Sequence, residues 1–244
     1  MKVLLLAGTR EGREMAERLS RAGVPALVSL AGATDRPLPL PLPTRRGGFG
    51  GAEGFLDCLR VEGITAVVDA THPFAARITD RTGRLCAEQG VPYLQILRPG
   101  WQEGDGDRWT RIARLEDAAG LIPTGATVFL ATGRQSLGAA AELAGRRLML
   151  RVIDPPKEPF PIEGGDYVVG RPPFTLDAEK ALFALTGVDW LVVKDSGGDE
   201  GRAKLDAARA LGLPVALIDR PPLPDAPRVT TAEAAMAWVR GLPL

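Results

Sequence analysis

Histidine, cysteine and aromatic residues are all scarce in this chain: its 244 residues include one histidine, two cysteines and 5% aromatics. Cys58 and Cys86 are too few and too far apart for a zinc cluster or a disulfide framework, so reduced thiols and no metal are expected. With His72 the sole imidazole, there is no paired-histidine metal helix; a nucleophile elbow and a Ser/His/Asp arrangement are missing too. Excess charge is also lacking, because 30 basic residues cancel 30 acidic ones. That argues against a bulk basic surface for nucleic acid, although a local anion site stays open. Long apolar runs are absent. The one that opens the chain stops at Gly8, too short for a signal peptide and far below the roughly 20 residues of a membrane span. A cytoplasmic protein with no nucleic-acid or membrane partner is expected.

What the chain has instead is a series of short apolar runs, each ending in a glycine or polar loop and followed by a helical pattern. Val3–Gly8, Thr65–Ala70, Thr127–Thr132 and Trp190–Asp195 are apolar without alternation, as strands buried on both faces of a parallel sheet are. Helices are expected over Glu14–Gly23, Ile78–Gly90, Ala140–Gly145, Glu179–Leu185 and Ala203–Gly212, most of them closing on glycine. The class is α/β with crossover helices.

The chain also repeats itself. Aligning VLLLAGTRE (Val3–Glu11) with VFLATGRQ (Val128–Gln135) sets Gly8 on Gly133, and the same offset sets AVVDATH (Ala66–His72) on LVVKDSG (Leu191–Gly197). GVPYLQILRPG (Gly90–Gly100) then matches GLPVALIDRPP (Gly212–Pro222). Residues Trp109–Ile122 and Pro227–Val239 each read as a short extended piece before an apolar-faced helix. Four matches in order predict two similar Rossmann-like domains with mostly parallel sheets, residues 1–123 and 124–244, and an interdomain cleft. Ligands of open α/β sheets bind beyond the carboxyl ends of the strands. The loops Gly8–Gly12, Ala70–Ala75, Thr132–Ser136 and Lys194–Gly198 are therefore expected to line the site.

Each loop carries suitable chemistry. Gly8-Thr9-Arg10-Glu11-Gly12 is not GxGxxG and could be a tight strand-to-helix turn, but its position, where backbone N–H groups at a helix start meet phosphate, favours the anion reading. The second strand, Ala26–Thr34, ends without the acid that would hold a ribose 2′-hydroxyl, which leans toward NADPH or toward no dinucleotide in this half. His72, between Thr71 and Pro73, is either structural or fixed by the proline as part of a binding loop. Thr132, Gly133, Arg134 and Gln135 suit an anion. Lys194, before Asp195, Ser196 and Gly197, is either a strand-end ion pair or a ligand contact. Arg45-Arg46-Gly47-Gly48-Phe49-Gly50-Gly51 is a basic glycine-rich loop, read as a flap or simply a loop, after the proline-rich connector Arg36–Pro43.

Taken together, LLLAGTREGREMAERL (Leu4–Leu19), GGFGG (Gly47–Gly51), DATHPFAARI (Asp69–Ile78), GVPYLQILRPGW (Gly90–Trp101), ATGRQ (Ala131–Gln135), RVIDPP (Arg151–Pro156), KDSGG (Lys194–Gly198) and KLDAARALGLPVALIDRP (Lys204–Pro221) resemble the precorrin-6A and cobalt-precorrin-6A reductase family of cobalamin biosynthesis. The motifs span nearly the whole chain in order. The resemblance implies an NADPH-dependent oxidoreductase that reduces a C=C bond of a corrin precursor, with hydride to C19 and a proton to C18. It implies a tetrapyrrole exchanged with other enzymes of the pathway. Gly8, Thr9, Arg10, Glu11, Thr71, His72, Thr132, Gly133, Arg134, Gln135, Lys194, Ser196 and Gly197 become cofactor contacts. Arg45, Arg46, Arg77 and Arg151 become contacts for the substrate's acetate and propionate arms, and Lys194 and His72 candidate catalytic groups. Many relatives read Lys-Asn-Ser-Gly where this chain has Lys194-Asp195-Ser196-Gly197, so Asp195 is not expected to be an essential acid. The alternatives are another NADPH-dependent reductase and a noncatalytic nucleotide- or tetrapyrrole-binding module.

Overall fold

The computed structural model describes residues 1–32 and 38–243. The end of the expected second strand beyond residue 32 and the first two residues of the proline-rich connector lie outside the described residues. The chain divides into two compact units, Met1–Pro99 with Pro221–Leu244, and Gly100–Arg220.

In chain order the first unit contains β1 (Val3–Ala7), α1 (Arg10–Arg21), β2 (Ala26–Leu30), β3 (Thr44–Arg46), α2 (Ala52–Val61), β4 (Ala66–Asp69), α3 (Ala76–Glu88) and β5 (Tyr93–Ile96). The second contains β6 (Trp109–Ile112), β7 (Thr127–Ala131), α4 (Leu137–Ala140), β8 (Arg147–Val152), β9 (Asp166–Val169), α5 (Leu176–Thr186), β10 (Trp190–Lys194), α6 (Ala203–Ala210) and β11 (Val215–Ile218). The chain then returns to the first unit with β12 (Arg228–Val229) and α7 (Ala232–Arg240).

Each unit is built on a six-stranded sheet, ordered β12-β5-β4-β1-β2-β3 in the first and β6-β11-β10-β7-β8-β9 in the second. Every pairing is parallel. Read from the third strand inward, both have the order 3-2-1-4-5-6 of the doubly wound dinucleotide-binding fold. The repeat is therefore real in space: β1 corresponds to β7, and β4 to β10.

The sixth strands exchange. β6, which follows β5 in sequence, pairs with β11 of the second sheet, while β12 pairs with β5 of the first. The expected division at residue 123 thus falls inside the second unit. Sequence similarity marks equivalent segments but not the sheet each one joins; β6 and β12 are both short extended pieces of the same kind, and each completes the other half's sheet.

Burial follows the pattern of the runs. Val3, Leu5 and Ala7 of β1 pack on one face with Met15, Ala16 and Leu19 of α1 and Ala235, Met236 and Val239 of α7. Leu4 and Leu6 pack on the other with Phe55 and Leu59 of α2 and Leu85 and Cys86 of α3. Full burial of each such Leu or Met side chain contributes about 1.5–3 kcal/mol, which is why these strands carry no polar face. In the second unit Phe129, Leu191, Val193 and Leu217 meet Phe183 of α5 and Leu205 and Ala208 of α6. Among the described residues no helix is long and apolar enough to cross a membrane, and no cluster of His, Cys, Asp and Glu could hold a metal ion. Both cysteines are free thiols, with burial pushing Cys86 up to about 12.

Candidate functional site

In each sheet the strand order reverses beside the first strand, between β1 and β4 and between β7 and β10. At such a switch point the loops leaving the two strands diverge and open a crevice at their carboxyl ends. The four loops expected from sequence are the four that leave these strands.

In the first unit, Gly8 has φ +153°, and a Cβ placed on it would meet nothing within 4 Å. Thr9 caps α1: its hydroxyl accepts from Gly12 N–H (3.2 Å) and donates to the Ala70 carbonyl (2.8 Å), tying the β1 and β4 loops together. Gly12 is needed for close approach, since a Cβ there would lie 3.1 Å from Ala7 Cβ and 3.4 Å from Ala70 Cβ. Glu11, in the first turn of α1, would oppose an anion at that helix start, but its carboxylate is paired with Arg98 at 2.7 Å in a largely buried contact. Arg10 pairs with Glu14 at the surface.

The β4 loop is held from below. Asp69, fully buried, accepts from Tyr93 Oη (2.9 Å) and from Thr71 N–H (2.9 Å). Burial, then the Asp69 carboxylate, raises the Tyr93 phenol, so it stays a donor. Thr71 Oγ1 lies 3.2 Å from Thr79 Oγ1, so Thr71 supports the loop. His72 is exposed, and its Nδ1 accepts from Phe74 N–H at 3.2 Å, which places any ring proton on Nε2 in the neutral form. Arg77 stands exposed in the first turn of α3.

In the second unit, Gly133 has φ +80° with open space around a Cβ. Thr132 and Ser136 are buried and bonded to each other at 2.6 Å, while Arg134 and Gln135 are exposed. Arg134 donates to the Asp154 carbonyl (2.9 Å), which fixes its guanidinium over the end of β8. Lys194, half-buried at the end of β10, has its ammonium pushed down by desolvation. Asp195 is buried and accepts from Trp101 N–H at 2.9 Å, and Trp101 Nε1 donates to the Gly198 carbonyl at 2.8 Å. Gly197 and Gly198 both take positive φ in the turn that follows.

Two of the expected arginines are committed within the fold. Arg45 donates to Ser29 Oγ (2.9 Å) and to the Gly47 (3.1 Å) and Gly48 (2.9 Å) carbonyls and covers the Phe49 ring at 4.1 Å. Phe49 is buried edge-on against Phe55, so Gly47–Gly51 is a fastened loop rather than a flap. Arg151 is ion-paired with the buried Glu179 and sandwiched between the Phe129 and Phe174 rings, at 4.7 and 4.1 Å. Arg46 differs: it is exposed at the end of β3, in register with Leu30 at the end of β2. Sequence reasoning passed over Trp101, Glu179 and Lys204. Lys204 lies 5.6 Å from the Trp101 ring and its ammonium is pushed down to about 8, chiefly by burial and against the pull of Glu179. Only glycines could have signalled the Trp101 contacts, since a Cβ on Gly201 would sit 2.7 Å from its ring.

The residues of the first unit fit a nicotinamide dinucleotide. Gly8 leaves room that a side chain would fill, Gly12 lets α1 approach the strand, and α1 is twelve residues long with its first-turn acid neutralised. The second unit has similar loops but only a four-residue α4 behind Gly133. Fold and site together define a duplicated, doubly wound α/β protein with a dinucleotide-type turn. The family model described as "Precorrin-6x reductase CbiJ/CobK" matches residues 2–240. The chain belongs to this family, reductases of cobalamin biosynthesis. It is 44% identical over 242 residues to the precorrin-6A reductase of Rhodococcus erythropolis, covering 98% of this chain and 97% of that one. It is 30% identical over 241 residues to the cobalt-precorrin-6A reductase of Priestia megaterium, covering 90% of each. The solved structure titled "CobK precorrin-6A reductase" superposes with a TM-score of 0.93 at 41% identity, covering 98% of this chain and 96% of that one.

Proposed function

We propose that this protein is an NADPH-dependent precorrin-6A reductase that saturates the C18=C19 bond of the macrocycle to give precorrin-6B. The observation that carries the proposal is the coincidence of whole-length family membership with a dinucleotide-type turn at the first unit's switch point. NADPH supplies the hydride. The residues proposed to hold it are Gly8, Thr9, Arg10, Thr71 and His72, with Arg46 on the 2′-phosphate. Arg46 stands beside the end of β2, where an NAD enzyme carries its ribose-binding acid and an NADP enzyme an arginine.

Arg134, Gln135, Lys194, Ser196 and Gly197 of the second unit, with Gly133 leaving the backbone open, are proposed to bind the carboxylate arms of the tetrapyrrole. Planar carboxylates suit a guanidinium and a strand-end ammonium, and no long helix start competes for them here. Arg45 and Arg151 are left out because Arg45 makes three hydrogen bonds over the Phe49 ring and Arg151 is ion-paired with buried Glu179 between two rings, whereas Arg134 is exposed and reaches main-chain carbonyls through Nη2. Arg77 stays among the proposed substrate contacts. Lys194, whose ammonium gives up its proton more readily than an exposed lysine, is the group proposed to return a proton to C18, and His72, with its proton on Nε2, is proposed to help catalysis by donating a hydrogen bond that orients the reacting groups. The higher identity to the precorrin-6A relative favours the metal-free substrate. Anaerobic incubation with precorrin-6A and cobalt-precorrin-6A in parallel, each with NADPH, tests this: faster reduction of the metal-free ring is expected, and faster reduction of the cobalt form refutes that choice.

A further inference from the structure

Asp195 is buried at the carboxyl end of β10 and touches both ends of the second unit, which runs from Gly100 to Arg220. Its Oδ1 accepts from Trp101 N–H at 2.9 Å. Its Oδ2 faces Gly100 so closely that a Cβ there would stand 2.7 Å away, and Arg111 Nη1 approaches the same oxygen at 3.4 Å. Its carbonyl oxygen accepts from Arg220 Nε at 2.9 Å, and its N–H donates to the Ile218 carbonyl. Trp101, held this way by its backbone, returns through its indole N–H to the Gly198 carbonyl at 2.8 Å. The segment Ser196–Gly198 is thus closed between two anchors, Asp195 on one side and the Trp101 indole on the other.

From this geometry we infer that Asp195 is a positioning residue: as a hydrogen-bond acceptor, not as an acid, it fixes Trp101 and through it the shape of the Ser196–Gly198 loop that binds substrate. Three features support that role over proton transfer. The carboxylate is covered, both its oxygens face partners inside the unit, and Arg111 keeps its stronger contact with Asp219 at 2.6 Å. An acceptor at the Oδ1 position is all that the Trp101 N–H requires, and an asparagine amide oxygen supplies it. The glycine at position 100 has the same origin, because any side chain there pushes the carboxylate away.

The substrate assignment rests on the proposed function; the loop geometry does not. Two measurements separate them. Hydrogen exchange of the 196–198 amides in the ligand-free protein reads the loop alone: at least tenfold faster exchange is expected in Asp195→Ala and in Gly100→Ala, and wild-type exchange in Asp195→Asn. Steady-state kinetics then read the consequence: a rise of at least tenfold in KM for precorrin-6A in Asp195→Ala, with NADPH affinity within twofold of wild type and near-wild-type constants in Asp195→Asn. Unchanged exchange in Asp195→Ala, or a loss in Asp195→Asn as large as in Asp195→Ala, overturns the inference. If Asp195→Ala does not fold, Gly100→Ala decides, since it keeps the carboxylate and displaces it; wild-type exchange there also overturns the inference. Faster exchange together with an unchanged KM leaves Asp195 shaping the loop but refutes substrate binding by that loop, and a wild-type protein inert toward precorrin-6A refutes the proposed function alone.

Discussion

The Thr9 hydroxyl donates to the Ala70 carbonyl at 2.8 Å while accepting from the Gly12 N–H at 3.2 Å, so one oxygen caps α1 and ties together the two loops of the first unit's switch point. Removing it has two consequences. Thr9→Ala is expected to cost about 1–2 kcal/mol of stability, the worth of an N-cap and one partly buried hydrogen bond. It should also weaken NADPH binding, while Thr9→Ser keeps both. Urea denaturation and a fluorescence titration of NADPH measure these; an unaltered midpoint in Thr9→Ala would remove the cap from the account.

The glycines divide by cause. A Cβ on Gly54 would stand 1.8 Å from the Phe49 carbonyl oxygen, a backbone overlap that no rotamer relieves. Gly54→Ala should therefore lose about 3 kcal/mol or fail to fold. At Gly8 there is open space, so Gly8→Ala pays only for its positive φ, about 1–3 kcal/mol, and should remain folded while NADPH affinity drops at least tenfold. Thermal melts and the same titration distinguish the two.

Arg46 is expected to read the 2′-phosphate. Arg46→Ala should weaken NADPH binding by tenfold or more and leave NADH binding nearly unchanged. Equal losses for both dinucleotides would show that Arg46 has another role.

Lys204 should leave a mark on stability against pH. Burial lowers its pKa to about 8 in the fold, against 10.5 for the unperturbed side chain. Between those values the unfolded chain binds more protons, so this residue's contribution makes stability rise as pH rises through that window; below about 8 the cost of burying the ammonium is present in full. Lys204→Met removes that cost. The variant's Tm should exceed the wild type's at pH 7, and the difference should shrink by pH 10.5. A difference that does not vary with pH would place the Lys204 charge in solvent.

Much of this fold was legible in the sequence. Unbroken apolar runs such as Val3–Ala7 and Trp190–Val193 fit strands covered on both faces, and the repeat set Gly8 on Gly133 and the β4 loop on the β10 loop. The exchange of β6 and β12 was hidden, because the two short strands are alike and the choice of sheet is made by tertiary packing. The helix expected over Ala140–Gly145 is instead the end of a short α turn, Leu137–Ala140, followed by a 3-10 turn, Ala141–Leu143. At the candidate site, the four loops follow the strands expected from sequence, but the partners of their charges were not legible there. Arg45 and Arg151 look like ligand groups until Gly47, Gly48 and Glu179 are seen beside them, and Asp195 and Trp101, 94 residues apart, show no local sign of their contact.

The most direct test is reduction of precorrin-6A under anaerobic conditions with NADPH deuterated at the transferable position of its nicotinamide. One NADPH should be consumed per macrocycle, and the product should carry deuterium at C19 and a solvent hydrogen at C18. NADPH that binds while precorrin-6A is returned unchanged would contradict the account.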